Sequence, residues 1–147
     1  GYNTAVGYGA LQDVNCGNDN TALGYQVLYN YEGAENVGVG YRAGYTNTTG
    51  NRMTAVGYKA CYSTTTADDN AGIGYHALYA NTTGGGNTAV GTRALDASTT
   101  ANNMTAVGND ALGANTTGHN NTACGKSALE EKSMKLSLNW SSNSVFR

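Results

Sequence analysis

The chain has 147 residues, of which Gly, Asn and Thr supply 59, and it contains no Pro, one Phe and one Trp. Its formal net charge is −2, with no basic run or cationic amphipathic stretch, which argues against a nucleic-acid or anionic-membrane surface. No segment approaches the roughly 18 apolar residues needed to cross a bilayer, so membrane insertion is not expected either.

Such a composition in random order would read as low-complexity disorder. The order is not random. Starting from the amino terminus, a Thr-Ala-Val-like run ends on an anchor glycine at Gly7, Gly24, Gly40, Gly57, Gly74, Gly91, Gly108 and Gly125, at spacings of 17, 16, 17, 17, 17, 17 and 17 residues. The consensus reads N-T-A-V-G-Y-x-A-L-Y-x-N-T-T-G-x-x, in eight copies with one deletion between the second and third. A period this short marks a solenoid or stacked array. Gly1-Tyr2-Asn3 already lies inside a repeat, as expected for a piece of a longer chain.

Three columns exclude charge throughout: Val6, Leu23, Val39, Val56, Ile73, Val90, Val107 and Cys124 before the anchor, an Ala or Val three after it, and mostly Leu four after it. The pattern predicts that one Val, one Leu and two Ala per copy face inward, while Arg42, Lys59, Arg93 and Asp110 face out. Helix is disfavoured by the Thr and Val content, the mid-run Gly and the N-T-T-G punctuation. Two short strands per copy are expected, one over Thr-Ala-Val-Gly-Tyr and one around Ala-Leu-Tyr. Stacked in parallel at about 4.8 Å per coil, the eight copies make a column roughly 38 Å tall. The fold class expected is therefore all-β, a parallel β-solenoid over residues 1–129. Ala5, Ala22, Gly38, Ala55 and Gly72, two before the anchor, suggest a small-residue face that admits another chain's backbone. That predicts a homo-oligomer, foremost a trimer.

The unit N-T-A-V-G-Y-x-A-L-x-x-N-T-T-G, clearest from Asn70 to Ala128, resembles the repeats of phage and bacterial tail-fibre proteins. It is similar, more loosely, to the head repeats of trimeric autotransporter adhesins. The resemblance implies a homotrimeric left-handed β-roll that carries or displays a receptor-binding part, at the cell or virion surface. The function expected is a structural shaft or head element mediating attachment, with no catalysis and no cofactor. A carbohydrate-binding module, a self-assembling extracellular filament and an ice-binding solenoid remain as alternatives.

The candidate chemistry is sparse. Cys61 and Cys124 stand in apolar columns and Cys16 in a connecting segment, several coils apart, so neither disulfide nor metal site is expected. His76 and His119 fall at positions expected to face solvent, and no nucleophile-base-carboxylate set can be assembled. Gly84-Gly85-Gly86 lacks the following Lys-Ser/Thr of a phosphate loop. Tyrosine carries more information. Tyr8, Tyr25, Tyr41, Tyr58 and Tyr75 follow the anchor, and Tyr29, Tyr45, Tyr62 and Tyr79 form a second column. These read as stacked ladders or, flanked by Asn and Thr, as glycan contacts. Asn47, Asn81 and Asn115 lie in Asn-x-Thr sequons, although the repeat itself generates Asn-Thr-Thr. The Thr pairs from Thr48-Thr49 to Thr116-Thr117 would stack into a hydroxyl ladder, the basis of the ice-binding alternative. Beyond Leu129 the period stops, and residues 130–147 read as a cap, neck or docking strand. There Met134, Leu136, Leu138 and Trp140 alternate with polar residues.

Overall fold

A computed structural model describes residues 1–12, 15, 17–130 and 143–146. Among them the fold is an all-β parallel solenoid without helix. Each repeat contributes one short strand: β1 Thr4–Val6, β2 Thr21–Leu23, β3 Val37–Val39, β4 Thr54–Val56, β5 Ala71–Ile73, β6 Thr88–Val90, β7 Thr105–Val107 and β8 Asn121–Cys124. They pair in sequence order, every neighbour parallel. Thr4 faces Thr21, Thr21 faces Val37, Val37 faces Thr54 and Thr54 faces Ala71, so like positions of successive repeats lie over one another. A further strand, β9 (Asn143–Phe146), pairs in parallel with β8, Asn121 opposite Asn143. Met134, Leu136, Leu138 and Trp140 lie outside the described residues, as does Cys16.

The second strand expected around Ala-Leu-Tyr is absent: that segment is a series of turns. The residue two after the anchor has φ between 50° and 56° at Gln26, Arg42, Lys59, His76, Arg93, Asp110 and Ser127. The residue four after it is left-handed too, from Leu28 at 48° to Leu95 at 54°. Positive φ at alternate positions bends the chain out of extended geometry. Inter-coil hydrogen bonding nevertheless continues through the bend. Gln26 N–H donates back to Tyr8 C=O at 2.8 Å, and Leu28 N–H donates onward to Ala43 C=O at 3.1 Å. These bonds, repeated in every coil, hold residues such as Leu and Lys in a conformation that costs each about 1 kcal/mol or more in isolation. A third left-handed position, at Asp19, Glu35, Arg52, Asp69, Gly86, Asn103 and Asn120, carries mostly the residue types that accept it.

The core corrects the sequence reading in one column. Along Thr-Ala-Val the side chains alternate, and it is the Ala that points inward: Ala22, Ala55, Ala89, Ala106 and Ala123 are fully buried. The Val column therefore points out, with Val6, Leu23, Ile73 and Val107 exposed. The physical reason is space. The Ala packs within the coil interior alongside Ala43, Ala60, Ala77, Ala94 and Leu28, Leu78, Leu95, which are also fully buried. The small-residue column is thus filled by its own chain and offers no face to a partner. Close backbone approach does govern the anchor glycines, but the backbone approached is the next coil's. A Cβ on Gly57 would stand 2.5 Å from Gly74 O, and φ there is +132°.

Volume is traded between columns. Gly38 faces Val27, whose Cγ1 would meet an added Cβ at 2.3 Å; Gly72 faces the Cys61 sulfur at 2.5 Å. Gly44, where most other repeats have Leu, leaves room filled by Met53 and Leu28. The repeat shortened by one residue is closed by Tyr31, fully buried, whose hydroxyl donates to Gly50 C=O at 2.8 Å.

Buried asparagines form the second part of the interior. Asn20, Asn36, Asn70 and Asn87 precede their strands and are essentially inaccessible. Each carboxamide oxygen accepts from the backbone one coil on: Asn36 N–H to Asn20 Oδ1 at 2.9 Å, Met53 N–H to Asn36 Oδ1 at 2.7 Å, Met104 N–H to Asn87 Oδ1 at 3.0 Å. Their NH2 groups donate to carbonyls, as Asn70 does to Gly84 C=O at 2.8 Å. A buried amide satisfied on both ends fixes register, because slipping one residue would orphan donors at about 1–3 kcal/mol each.

Candidate functional site

With Ala inside, the outer surface divides into three rows that run along the stack. The strand row presents two columns, one mostly Thr and one apolar. The apolar column, Val6, Leu23, Val39, Val56, Ile73, Val90, Val107 and Cys124, is unbroken by charge in all eight repeats. None of these residues is buried: Ile73 is 40 % exposed and Val107 38 %. Isolated surface hydrophobes are ordinary, but a contiguous stripe spanning a whole structure is not.

The aromatic row lies beside it. Tyr8, Tyr25, Tyr41, Tyr58 and Tyr75 stack with ring centroids 5.1–5.4 Å apart and planes within 13°. Tyr29, Tyr45, Tyr62 and Tyr79 form a parallel ladder at 5.3–5.4 Å. Each ring is held at coil spacing by the repeat, so the ladders follow from register alone. Both columns expected from the sequence are brought together in this way. Stacking also sets their chemistry, since each inner ring has a ring of the adjacent coil on either side of it. A neutral sugar that binds by lying on an aromatic face finds no free face within the ladder.

Between the ladders runs the left-handed residue two after the anchor, expected from the sequence to face out and found here against the rings. Arg42 places its guanidinium 5.3 Å from the Tyr41 ring centroid and 5.0 Å from that of Tyr45. Lys59 Nζ lies 5.4 Å from both Tyr58 and Tyr62. Within about 6 Å these are cation–π contacts. His76 continues the row, stacked 4.2 Å from Tyr75 and 4.4 Å from Tyr79, rather than facing solvent as expected. Burial holds its pKa below the ordinary histidine value, with the Lys59 and Arg93 charges acting in the same direction and Asp96 opposing. The signal available in the sequence was the alternation Tyr-cation-x-x-Tyr in one repeat after another.

The third row is the N-T-T-G connection. Asn47 and Asn81 are fully buried and their NH2 groups donate to Gly50 and Gly84 carbonyls at 3.2 and 2.9 Å. Asn115 makes the same contact to Gly118 at 3.1 Å. These sequon nitrogens are turned into the turn they close. The first Thr of successive pairs donates to the next coil, Thr48 to Thr65 C=O at 2.9 Å and Thr82 to Thr99 C=O at 3.0 Å. Their hydroxyl protons are directed along the stack instead of outward. Two exposed ion pairs tie successive coils, Arg52 Nε to Asp69 Oδ1 in the connections and Arg93 Nε to Asp110 Oδ1 in the column two after the anchor, both 2.6 Å. The shared hydrogen bond raises the pKa of Arg52 and lowers that of Asp69.

The thiols separate cleanly. Cys61 is fully buried and desolvation pushes its pKa up to about 12, whereas Cys124 is exposed on the apolar stripe. Among the described residues no group of His, Cys, Asp and Glu could hold a metal ion, and no helix is long and apolar enough to cross a membrane. No protein-family model, curated protein or solved structure matches the chain.

Proposed function

We propose that the chain is a structural shaft or head element of a fibrous surface or phage tail-fibre protein, acting in attachment at the cell or virion surface without catalysis. The observation that carries this reading is the uncharged apolar stripe from Val6 to Cys124, which runs along the outside of every repeat of the rod. A stripe of that length asks to be covered, and a second and third copy of the same rod present a matching one. The assembly is a homotrimer of left-handed β-rolls of eight 17-residue coils, packed through the strand rows. Its partner contact moves from the Ala column, which the chain fills itself, to the Val column. Support for the winding and the trimer comes from the repeat's resemblance to tail-fibre and adhesin-head units.

Sedimentation equilibrium tests it. The wild type is expected at three chain masses. Ile73→Lys together with Val107→Lys, both on outward positions, is expected to yield a monomer that keeps the β circular-dichroism signal. A folded wild type that sediments as one chain mass would refute the assembly.

A further inference from the structure

The aromatic row carries a charge feature that structural packing does not use. Among the described residues, Arg52 and Arg93 are each engaged by carboxylates, Arg52 with Asp68 and Asp69, Arg93 with Asp96 and Asp110. Arg42 and Lys59 have no such partner. The Arg42 Nε donates to Gln26 Oε1 at 2.9 Å, and Lys59 Nζ lies over its two tyrosines with no carboxylate partner among the described residues. The two cations occupy equivalent positions of adjacent coils, so they stand about 4.8 Å apart along the axis at the backbone. Tyr41, Tyr45, Tyr58 and Tyr62 flank them, with Tyr41 and Tyr58 exposed. The cations are thus prepositioned by ring contacts, which lowers the ordering cost of using them.

We propose that Arg42 and Lys59, held over the rings of Tyr41, Tyr45, Tyr58 and Tyr62, bind an acidic polysaccharide that lies along the stack. This deepens the attachment reading and rests on it. Three features select the ligand class. Anionic groups repeated along a polymer match cations repeated along an axis. Phenolic hydroxyls both donate and accept, which suits the hydroxyls of a sugar chain. Covered ring faces disfavour a neutral sugar that needs an open platform. Single-stranded nucleic acid needs open faces for its bases as well, and a larger count of unpaired cations than two. A chain of net charge −2 has little non-specific attraction for any polyanion.

Binding of the full chain to polygalacturonate, to dextran and to a single-stranded oligonucleotide, followed by biolayer interferometry, tests the site. Polygalacturonate is expected to bind, more weakly as salt rises, and the other two are expected not to. Arg42→Asn with Lys59→Asn removes both charges with a residue that accepts φ near +53° and +52°. It is expected to weaken binding roughly tenfold or more, as for two exposed charge contacts. Arg42→Lys with Lys59→Arg should retain binding, and so should Arg52→Asn, whose charge lies off the row. Unchanged affinity in the double Asn variant, equal loss in Arg52→Asn, or equal binding of dextran or oligonucleotide overturns the proposal. Sedimentation mass separates failure of this site from failure of the rod: lost binding in a double Asn variant that is still trimeric supports the site, whereas a trimeric wild type that does not bind polygalacturonate sinks only the polysaccharide site.

Discussion

Gly74→Ala is expected to unfold the array or to lower its stability by about 3 kcal/mol or more. Gly74 sits at φ +135°, where side chains are rarely accommodated, and an added Cβ would stand 2.5 Å from Gly91 O. Neither problem has a local remedy. Moving φ would break the Gly74 N–H to Val56 C=O bond of 2.8 Å, and moving the next coil would break Gly91 N–H to Ile73 C=O, also 2.8 Å. The same geometry recurs at Gly57, Gly91 and Gly108, so the strain would pass to neighbouring coils. Gly85→Ala is the control. Its φ is not left-handed and its nearest contact, Asp68 O, lies 3.1 Å away, so a small loss is expected there. Urea denaturation followed by far-ultraviolet circular dichroism reads both. Since a domain's whole stability is of order 5–15 kcal/mol, the difference should be plain.

The second large effect separates inside from outside. Leu78→Ala is expected to cost about 2–5 kcal/mol, because the side chain is fully buried among Ala77, Ala94 and Leu95 and the backbone ladder on both sides resists collapse into the cavity. Ile73→Ala, five residues earlier, removes a side chain 40 % exposed in the chain. In a background that sediments as a monomer it is expected to cost less than about 1 kcal/mol. Both residues read alike in the sequence, as uncharged apolar positions of a repeat. Equal losses in thermal denaturation would show that the strand is turned the other way.

That pair marks where the sequence could be read and where it could not. The period, the parallel stacking and the inward Ala-Leu pair were legible, because charge exclusion in register leaves few alternatives. The Val column was misread since a three-residue strand offers too short an alternation to say which of Ala and Val faces in. Burying the smaller residue is decided by the coil's narrow interior, which no single repeat reveals. The missing second strand has a related cause. Left-handed Leu28, Leu78 and Leu95 are held by inter-coil bonds against their own preference, so propensity pointed elsewhere. The place of Asn20, Asn36, Asn70 and Asn87 in the interior was not legible in one repeat, because only stacking shows their carboxamides bridging coil to coil. The tyrosine ladders were legible from spacing, whereas the contacts between them were not, because Arg42, Lys59 and His76 share their column with Gln26 and Asp110 and so read as a variable outward position.

The two described thiols lie on opposite sides of that sorting, and their reactivity tests it most directly. In a Cys16→Ser background, Cys61 is expected to stay closed to a thiol reagent until the chain unfolds, consistent with its burial and raised pKa. Cys124, on the outward apolar stripe, is expected to react freely in the Ile73→Lys, Val107→Lys monomer and to be protected in the assembled wild type. Equal, rapid reaction of Cys124 in both proteins, or reaction of Cys61 in the folded chain, would contradict the account.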